Sequence, residues 1–129
     1  MKLLLDTHIL LWAAGQPERL SESARTLLTS PENTLFFSAA SLWEIVIKLG
    51  LGRRDLKVDP YRLRKELVAH GYAELPVTAE HALELQSLPS IHKDPFDRIL
   101  LAQARSEGLL LVTADSAVAE YGEPTIFVR

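Results

Sequence analysis

The chain has 129 residues, of which 47% are hydrophobic and 24% are charged, so it is long enough for one globular domain with its own hydrophobic core. It contains no cysteine, which excludes disulfides, thiolate nucleophiles and cysteine–zinc sites and fits a reducing, cytoplasmic setting. No stretch approaches the roughly 20 apolar residues of a membrane span, and a net charge of −3 gives no general case for nucleic-acid binding.

Strands and helices are predicted to alternate along the chain. Short apolar runs bounded by turn signals indicate strands, and apolar residues at helical spacing after a capping residue indicate helices. The predicted strands are 2–5, 34–37, 72–75, 109–112 and 125–128. The predicted helices are 9–14, 22–28, one that begins at Ser38 or Ser41 and ends at 49, 60–70, 79–87, 95–107 and 116–121. This alternation favours an α/β fold in a single domain over residues 1–129, with a mainly parallel sheet of four to five strands and helices on both faces.

Four carboxylates are placed where such a fold binds ligands. Asp6 follows the first strand and Asp115 follows the fourth, so both lie at the carboxyl edge of the sheet. Glu44 and Asp97 are expected in the first turns of their helices, one of which begins at the same edge. Converging carboxylates raise one another's pKa, and a divalent cation such as Mg²⁺, which prefers oxygen ligands, removes that penalty. The four acids are therefore candidate metal ligands.

Each acid also has a purely structural explanation. Asp6 and Asp115 are good N-caps, and Asp97 suits the first turn of a helix, where the helix dipole favours negative charge. Glu44 stands at capping-box spacing from a serine, and Lys48 can pair with it as a helical neighbour four residues on. Glu44 fits its structural explanation least, because an unpaired charge is costly within an apolar helix.

Basic residues concentrate between positions 48 and 66. Seven lysines and arginines face three acids there, which gives a local charge of +4 on an acidic chain. The segment is either a solvated helical face or a binding surface for a polyanion such as RNA. Lys48, Arg53 and Arg54 are its candidate RNA-binding residues.

Four short motifs occur in order along the chain: Leu-Asp-Thr-His at 5–8, Ser-Ala-Ala-Ser-Leu-Trp-Glu-Ile at 38–45, His-Lys-Asp-Pro-Phe-Asp-Arg at 92–98 and Thr-Ala-Asp at 113–115. In these motifs the chain resembles PIN-domain proteins, specifically the VapC-type toxins of bacterial toxin–antitoxin pairs. The resemblance covers essentially the whole chain, since the motifs extend from residue 5 to residue 115.

This resemblance implies a PIN-like three-layer sandwich and a Mg²⁺- or Mn²⁺-dependent endoribonuclease. In such an enzyme a metal-activated water hydrolyses RNA phosphodiesters and leaves 5′-phosphate ends. By resemblance, the catalytic and metal-binding acids are Asp6, Glu44, Asp97 and Asp115. The family also implies a homodimer and a cognate antitoxin that blocks the acidic cleft, with an arginine directed at the acids.

Five further residues are assigned secondary roles near the acids. Thr7 and Thr113 stand where family members place hydroxyls close to the site, and Ser38 is a weaker candidate of the same kind. Asp94 is assigned to the helix cap, with contact to the metal through water as the alternative. Arg98 is expected either to hold the Asp97 carboxylate in place or to grip an RNA phosphate.

The aromatic residues and histidines are interpreted mainly as structural. Trp12 and Trp43 lie on apolar helix faces and are predicted to be core residues, although Trp12 also offers a contact for a second subunit or an antitoxin. His92 is predicted to pack or hydrogen-bond near the loop that contains Asp94. No pair of histidines has the spacing of zinc ligands.

Two other functions stay open at this point. A phosphotransfer or phosphatase domain would need a nucleophilic aspartate, usually with a second acid two residues on, and His8 stands at that spacing from Asp6. A catalytically silent PIN-like module that binds RNA or protein is the alternative from a different class. The presence of all four acids counts against it.

Overall fold

The computed structural model describes residues 1–129 and contains five strands and seven α-helices. The strands are β1 (Lys2–Leu5), β2 (Thr34–Ser38), β3 (Ala73–Leu75), β4 (Leu110–Thr113) and β5 (Thr125–Phe127). The helices are α1 (Thr7–Gly15), α2 (Glu22–Thr29), α3 (Ala39–Gly50), α4 (Pro60–Ala69), α5 (Ala79–Glu84), α6 (Pro95–Glu107) and α7 (Ser116–Ala119), with short 3₁₀ helices at Pro17–Arg19 and Leu85–Ser87.

The five strands form one sheet in the order β3-β2-β1-β4-β5, and every neighbouring pair is parallel. From β1 in the centre the chain adds β2 and β3 on one side, then returns to add β4 and β5 on the other. The direction of winding therefore reverses between β1 and β4, and a crevice at the carboxyl ends of these strands is the usual ligand site of such a sheet. The predicted α/β architecture with helices on both faces is confirmed, and the sheet is entirely parallel.

Alternate residues of the central strands enter two separate cores, one on each face of the sheet. Leu3 and Leu5 of β1 pack with residues from α1 to α4, whereas Leu4 packs mainly with residues of α6 and α7. Neighbouring Leu111 and Val112 of β4 divide in the same way. Because both faces are covered, these strands are apolar on both sides, as their unbroken leucine and valine runs predicted.

Helix α6 begins and ends at the residues its sequence indicates. The Asp94 side chain accepts from the Phe96 backbone N–H at 2.8 Å, and Pro95 occupies the first helical position. Gly108 ends the helix in a left-handed conformation with φ of 69°, which a residue without Cβ adopts easily. This cap fixes the first turn of α6, and with it Asp97, against the end of the sheet.

Two predictions about the helices are wrong in part. The helix expected over 79–87 ends as an α-helix at Glu84 and continues as a 3₁₀ turn. Trp43, predicted as a core residue, is 60% exposed, and its ring meets that of Phe96 edge to face at 5.2 Å.

No helix combines the length and the apolar character needed to cross a bilayer.

Candidate active site

Asp6 lies at the centre of the carboxyl edge, directly after β1. Its backbone N–H donates to the carbonyl of Val112 at 3.0 Å, and its Oδ1 accepts from the N–H of Ile9, so it caps α1 as predicted. Its Oδ2 accepts from the hydroxyl of Thr113 at 2.5 Å. Burial raises the pKa of this carboxyl, against the lowering effect of both hydrogen bonds, and the charge of Asp115 raises it further.

Glu44 lies in the second turn of α3 rather than in its first. Ser38 caps this helix by accepting from the N–H of Ala40 at 3.0 Å, so the capping-box explanation of Glu44 is wrong. The buried Glu44 carboxylate accepts instead from the hydroxyl of Thr7 at 2.7 Å and from the ammonium of Lys48. The Thr7 hydroxyl also lies 3.0 Å from that of Ser41, so the first turn of α1 contacts α3 through polar groups alone at this point.

Asp97 occupies the first turn of α6, as predicted, and its pKa depends on the charges of other candidate acids. Its Oδ2 lies 2.9 Å from Nε2 of His92. The pKa of Asp97 is raised to about 6, mainly by burial and then by the charge of Asp94. The His92 hydrogen bond opposes this shift, and the charges of Asp6 and Glu44 add to it. Carboxylates from three separate elements therefore act on one another in a single region.

Asp115 lies at the exposed rim of this region. Its Oδ1 caps α7 by accepting from the N–H of Ala117 at 2.9 Å, and its own N–H donates to the Thr113 hydroxyl at 3.0 Å. Thr113 thus joins Asp115 to Asp6, since the same hydroxyl donates to Asp6. The cap and the proximity to Asp6 coexist, so the structural explanation of Asp115 does not exclude a role in binding a cation.

His92 is a residue of this region that the sequence did not assign to it. Donor atoms of His92, Asp94 and Asp97 all lie within 4.8 Å of one another, a spacing that can hold a metal ion. The hydrogen bond expected for His92 near the Asp94 loop exists, but it is made to Asp97 itself. The only sequence feature that could have predicted this contact is the position of His92, which lies five residues before Asp97 and just before α6 begins.

Arg98 points away from the acids. Its guanidinium donates to the carbonyl of Pro89 at 2.9 Å and to the hydroxyl of Tyr121 at 3.0 Å, so the expected contact with Asp97 is absent. That tyrosine hydroxyl in turn accepts from the backbone N–H of His92 at 2.9 Å. Arg98 therefore fixes the segment that carries His92 and acts on Asp97 only through it.

Ser38 belongs to a buried polar chain rather than to the acids. Its hydroxyl donates to Oε1 of Gln103 at 2.6 Å, and the amide of Gln103 donates to the carbonyl of Pro76 at 3.2 Å. Ser38 and Gln103 are both completely buried. Ser38 therefore contacts none of the four acids, and the hydroxyl that donates to Glu44 is that of Thr7.

The chain's relationship to known proteins agrees with this geometry. A family model described as the PIN domain matches residues 3–124, a stretch that contains all four candidate acids. The chain belongs to the PIN-domain family. The resemblance identified from the four motifs is thereby confirmed.

Relatives of this PIN domain include proteins of toxin–antitoxin systems. Ribonuclease VapC22 from Mycobacterium tuberculosis is 28% identical over 123 residues, which cover 95% of this chain and 93% of VapC22. The fold is similar to that of VapBC2 from Rickettsia felis bound to a promoter DNA fragment, with a TM-score of 0.68 and 16% identity over 98% of this chain and 97% of that chain. It is also similar to the sarcin–ricin loop cleaving toxin VapC20 from Mycobacterium tuberculosis, with a TM-score of 0.59 and 19% identity over 93% of this chain and 95% of that chain.

A groove of about 750 Å³ in the PIN domain begins at Thr7 and Glu44 and passes between α1, α3, α4 and the loop 51–59. Its apolar lining includes Trp12, Leu56 and Val58. We call this the α1–α4 groove. Of the four candidate acids only Glu44 lines this groove, which leads from Glu44 to an open surface.

The basic segment flanks this groove, but most of its charges are already paired. Lys48 contacts Glu44, and Arg53 binds Asp55 through two hydrogen bonds of 2.9 and 2.8 Å. Arg54 is exposed and forms no ion pair, and Lys57 lines the groove without one. Surface pairs such as that of Arg53 are weak and exchange readily. The cations that line the groove without an ion pair are Lys57 and Arg19, and Arg54 lies outside the lining.

Proposed function

We propose that this PIN domain, spanning residues 1–129, is a Mg²⁺- or Mn²⁺-dependent endoribonuclease and the toxin of a type II toxin–antitoxin pair, acting in the cytoplasm. The observation that carries the proposal is the convergence of acids around the half-buried Asp97, whose pKa is raised first by burial, then by the charge of Asp94, and also by the charges of Asp6 and Glu44 on other elements. Acids that perturb one another in a cleft are characteristic of catalytic sites. The similarity to a ribonuclease, VapC22, supports the same reading.

The donor set fits a hard divalent ion. Mg²⁺ and Mn²⁺ prefer oxygen ligands, and the residues that would hold the ion, Asp6, Glu44, Asp97 and Asp115, offer carboxylate oxygens alone. Burial and, after it, the charges of Asp94, Asp6 and Glu44 raise the pKa of Asp97, so a bound cation would relieve repulsion among these acids. A bound ion supplies charge neutralisation at the phosphodiester and promotes the attack of water on phosphorus.

The chain's own residues hold these acids in place for that chemistry. The Thr113 hydroxyl fixes one oxygen of Asp6, and the Thr7 hydroxyl fixes one oxygen of Glu44. The imidazole of His92 fixes one oxygen of Asp97. Partners of this kind orient a ligand and tune its basicity, and their loss typically costs about 10- to 100-fold in metal affinity or activity.

RNA binding is assigned to the basic side of the α1–α4 groove. Lys57 carries free positive charge there, Arg53 can exchange Asp55 for a phosphate, and the exposed Arg54 follows Arg53 just outside the lining. Contacts of this type release counterions from RNA, so affinity should fall as salt rises. The same groove has an apolar lining suited to a peptide segment, and we assign it to the antitoxin, whose binding would then exclude RNA.

A homodimer is supported by the exposed face of α3. Trp43 and Val46 are 60% and 53% exposed, and Leu51 at the end of the helix is 77% exposed. Large apolar side chains grouped in this way mark interaction surfaces. Trp43 directly precedes Glu44, so a dimer formed through this face would bring two acidic clefts close together.

The experiment that tests the function is cleavage of defined RNAs by the antitoxin-free chain, with Mg²⁺ or Mn²⁺ and with EDTA. Asp6→Asn is the matched inactive variant, because asparagine still caps α1. Glu32→Gln, in the turn before β2 at the opposite edge of the sheet, is the control for loss of a carboxylate. Metal-dependent cleavage that Asp6→Asn alone loses supports the proposal, whereas metal-independent RNA binding without cleavage would support a binding module.

A further inference from the structure

Lys48 and Glu44 form an ion pair in which the carboxylate is almost completely buried. The Lys48 ammonium contacts Oε2 of Glu44, while the Thr7 hydroxyl donates to Oε1 at 2.7 Å. The Glu44 side chain is 5% exposed and that of Lys48 is 31% exposed. Both oxygens of Glu44 are therefore occupied by protein donors, and one of these donors carries a full positive charge.

The other three acids of the cluster have only uncharged backbone or hydroxyl donors, or an imidazole. Asp6 accepts from a hydroxyl and a backbone N–H, Asp97 from the ring of His92, and Asp115 from a backbone N–H. No lysine or arginine contacts any of them within 4.0 Å. Glu44 is thus the one acid whose charge the chain itself compensates with an alkylammonium group.

The burial of Glu44 distinguishes this pair from an ordinary surface pair at the same helical spacing. Exposed pairs four residues apart contribute little to stability and open freely. Removing one partner of a buried pair leaves an uncompensated charge in a low-dielectric region, which is far more costly. The Lys48 ammonium is therefore a standing feature of the cluster.

We infer that Lys48 takes the place of a second cation at Glu44, so that the cluster binds a single divalent ion per chain. This inference rests on the proposed function, since it concerns the stoichiometry of the same metal site. An ammonium at Oε2 repels a divalent ion brought to the same carboxylate, and the repulsion is strong where water is excluded. The charges of Asp6, Asp97 and Asp115 then attract one ion, which narrows the four candidate ligands proposed above to these three, while Glu44 stays paired with Lys48.

The test is the number of Mn²⁺ ions bound per chain at saturation, measured by electron paramagnetic resonance and calorimetry on the antitoxin-free protein. We expect one ion for the wild type and two for Lys48→Met, which keeps the length of the side chain but removes its charge. Lys48→Arg retains the positive charge and should bind one ion. Lys65→Met removes an exposed cation of α4 that has no ion pair, and it too should bind one ion.

Any other number of bound Mn²⁺ ions would contradict either the inference or the proposed metal site, as follows. Two ions in the wild type would overturn the inference and leave the proposed metal site intact, and this measurement needs no variant. One ion in a folded Lys48→Met protein would overturn the role of Lys48 as the excluding cation; Lys48→Gln serves if the methionine variant does not fold. No Mn²⁺ binding by the wild type would overturn the metal-dependent function and the inference together.

Discussion

The Nε2 atom of His92 lies 2.9 Å from Oδ2 of Asp97, and the backbone of this histidine is held by the hydroxyl of Tyr121. The pair joins an irregular segment to the first turn of α6. His92 lowers the pKa of Asp97, although burial and the neighbouring carboxylates outweigh it. His92 therefore acts as a positioning residue that favours the charged form of the acid.

Replacing His92 tests this positioning. His92→Ala should reduce Mn²⁺ affinity and RNA cleavage by about 10- to 100-fold, the usual cost of losing a residue that orients a metal ligand. Because the lost hydrogen bond favoured the carboxylate, the pKa of Asp97 and the acid limb of the pH–rate profile should move upward. His92→Gln offers an amide donor and should recover part of the activity. His70→Ala, at the exposed end of α4, is the control, and equal losses in both alanine variants would rule out the positioning role.

Asp97 is expected to make stability depend on pH. Its pKa is about 6 in the folded protein against an ordinary value of 3.8, so the folded state holds this proton more tightly than the unfolded chain. Its contribution to the free energy of unfolding is therefore fully present below about pH 4 and is lost as the pH rises through 6. Asp97→Asn should abolish cleavage, flatten this dependence and raise stability at neutral pH by at most about 3 kcal/mol.

Urea unfolding of the wild type and Asp97→Asn across this pH range measures the effect. Asp94 remains in the variant to cap α6, so the helix should persist. A variant less stable than the wild type at neutral pH would show that the Asp97 carboxylate serves mainly to hold the first turn of the helix.

Mn²⁺ should raise the melting temperature of the wild type, because the carboxylates converge in the folded state only. Protons compete with the ion for Asp97, so the stabilisation should shrink as the pH falls through about 6. Thermal unfolding with and without Mn²⁺ should show this shift in Glu32→Gln but not in Asp6→Asn. A shift of full size in Asp6→Asn would place the ion away from β1.

The exposed face of α3 predicts that Trp43→Arg disrupts a homodimer. Truncating a central interface tryptophan commonly costs 2 kcal/mol or more, which corresponds to association weakened by about 30-fold. Analytical ultracentrifugation of the antitoxin-free chain measures this change. Tyr61→Arg is the matched control, since Tyr61 is an aromatic residue on α4 that is 89% exposed. A wild-type chain that sediments as a monomer would refute the proposed dimer directly.

The fold was largely predictable because its signals are local. The cap at Asp94, the proline after it and Gly108 bound α6 within its own sequence. The exception at the end of α5 has a local cause, because Pro89 has no N–H to donate to the Leu85 carbonyl four residues before it. That carbonyl accepts instead from Leu88 and from Arg98, 13 residues away. Nothing in the residues around Leu85 indicates the contact with Arg98.

The candidate acids could be chosen from the sequence, but their partners could not. Asp6 and the threonine that donates to it are 107 positions apart, and Thr7 is 37 positions from Glu44. Such pairs exist only once the sheet brings its carboxyl ends together. Trp43 was misassigned for a related reason, since apolar periodicity does not distinguish a helix face that packs inside the chain from one that is exposed.

The pairing of β1 with β4 has a consequence for the protein during its synthesis. β1 emerges from the ribosome first, but its neighbour β4 is translated more than 100 residues later. Until then β1 has an open edge on that side, and the nascent chain lacks both Thr113 and Asp115. A nascent chain that stops before Asp115 therefore cannot assemble the cluster, and any activity that depends on it begins only after residue 115 has been translated.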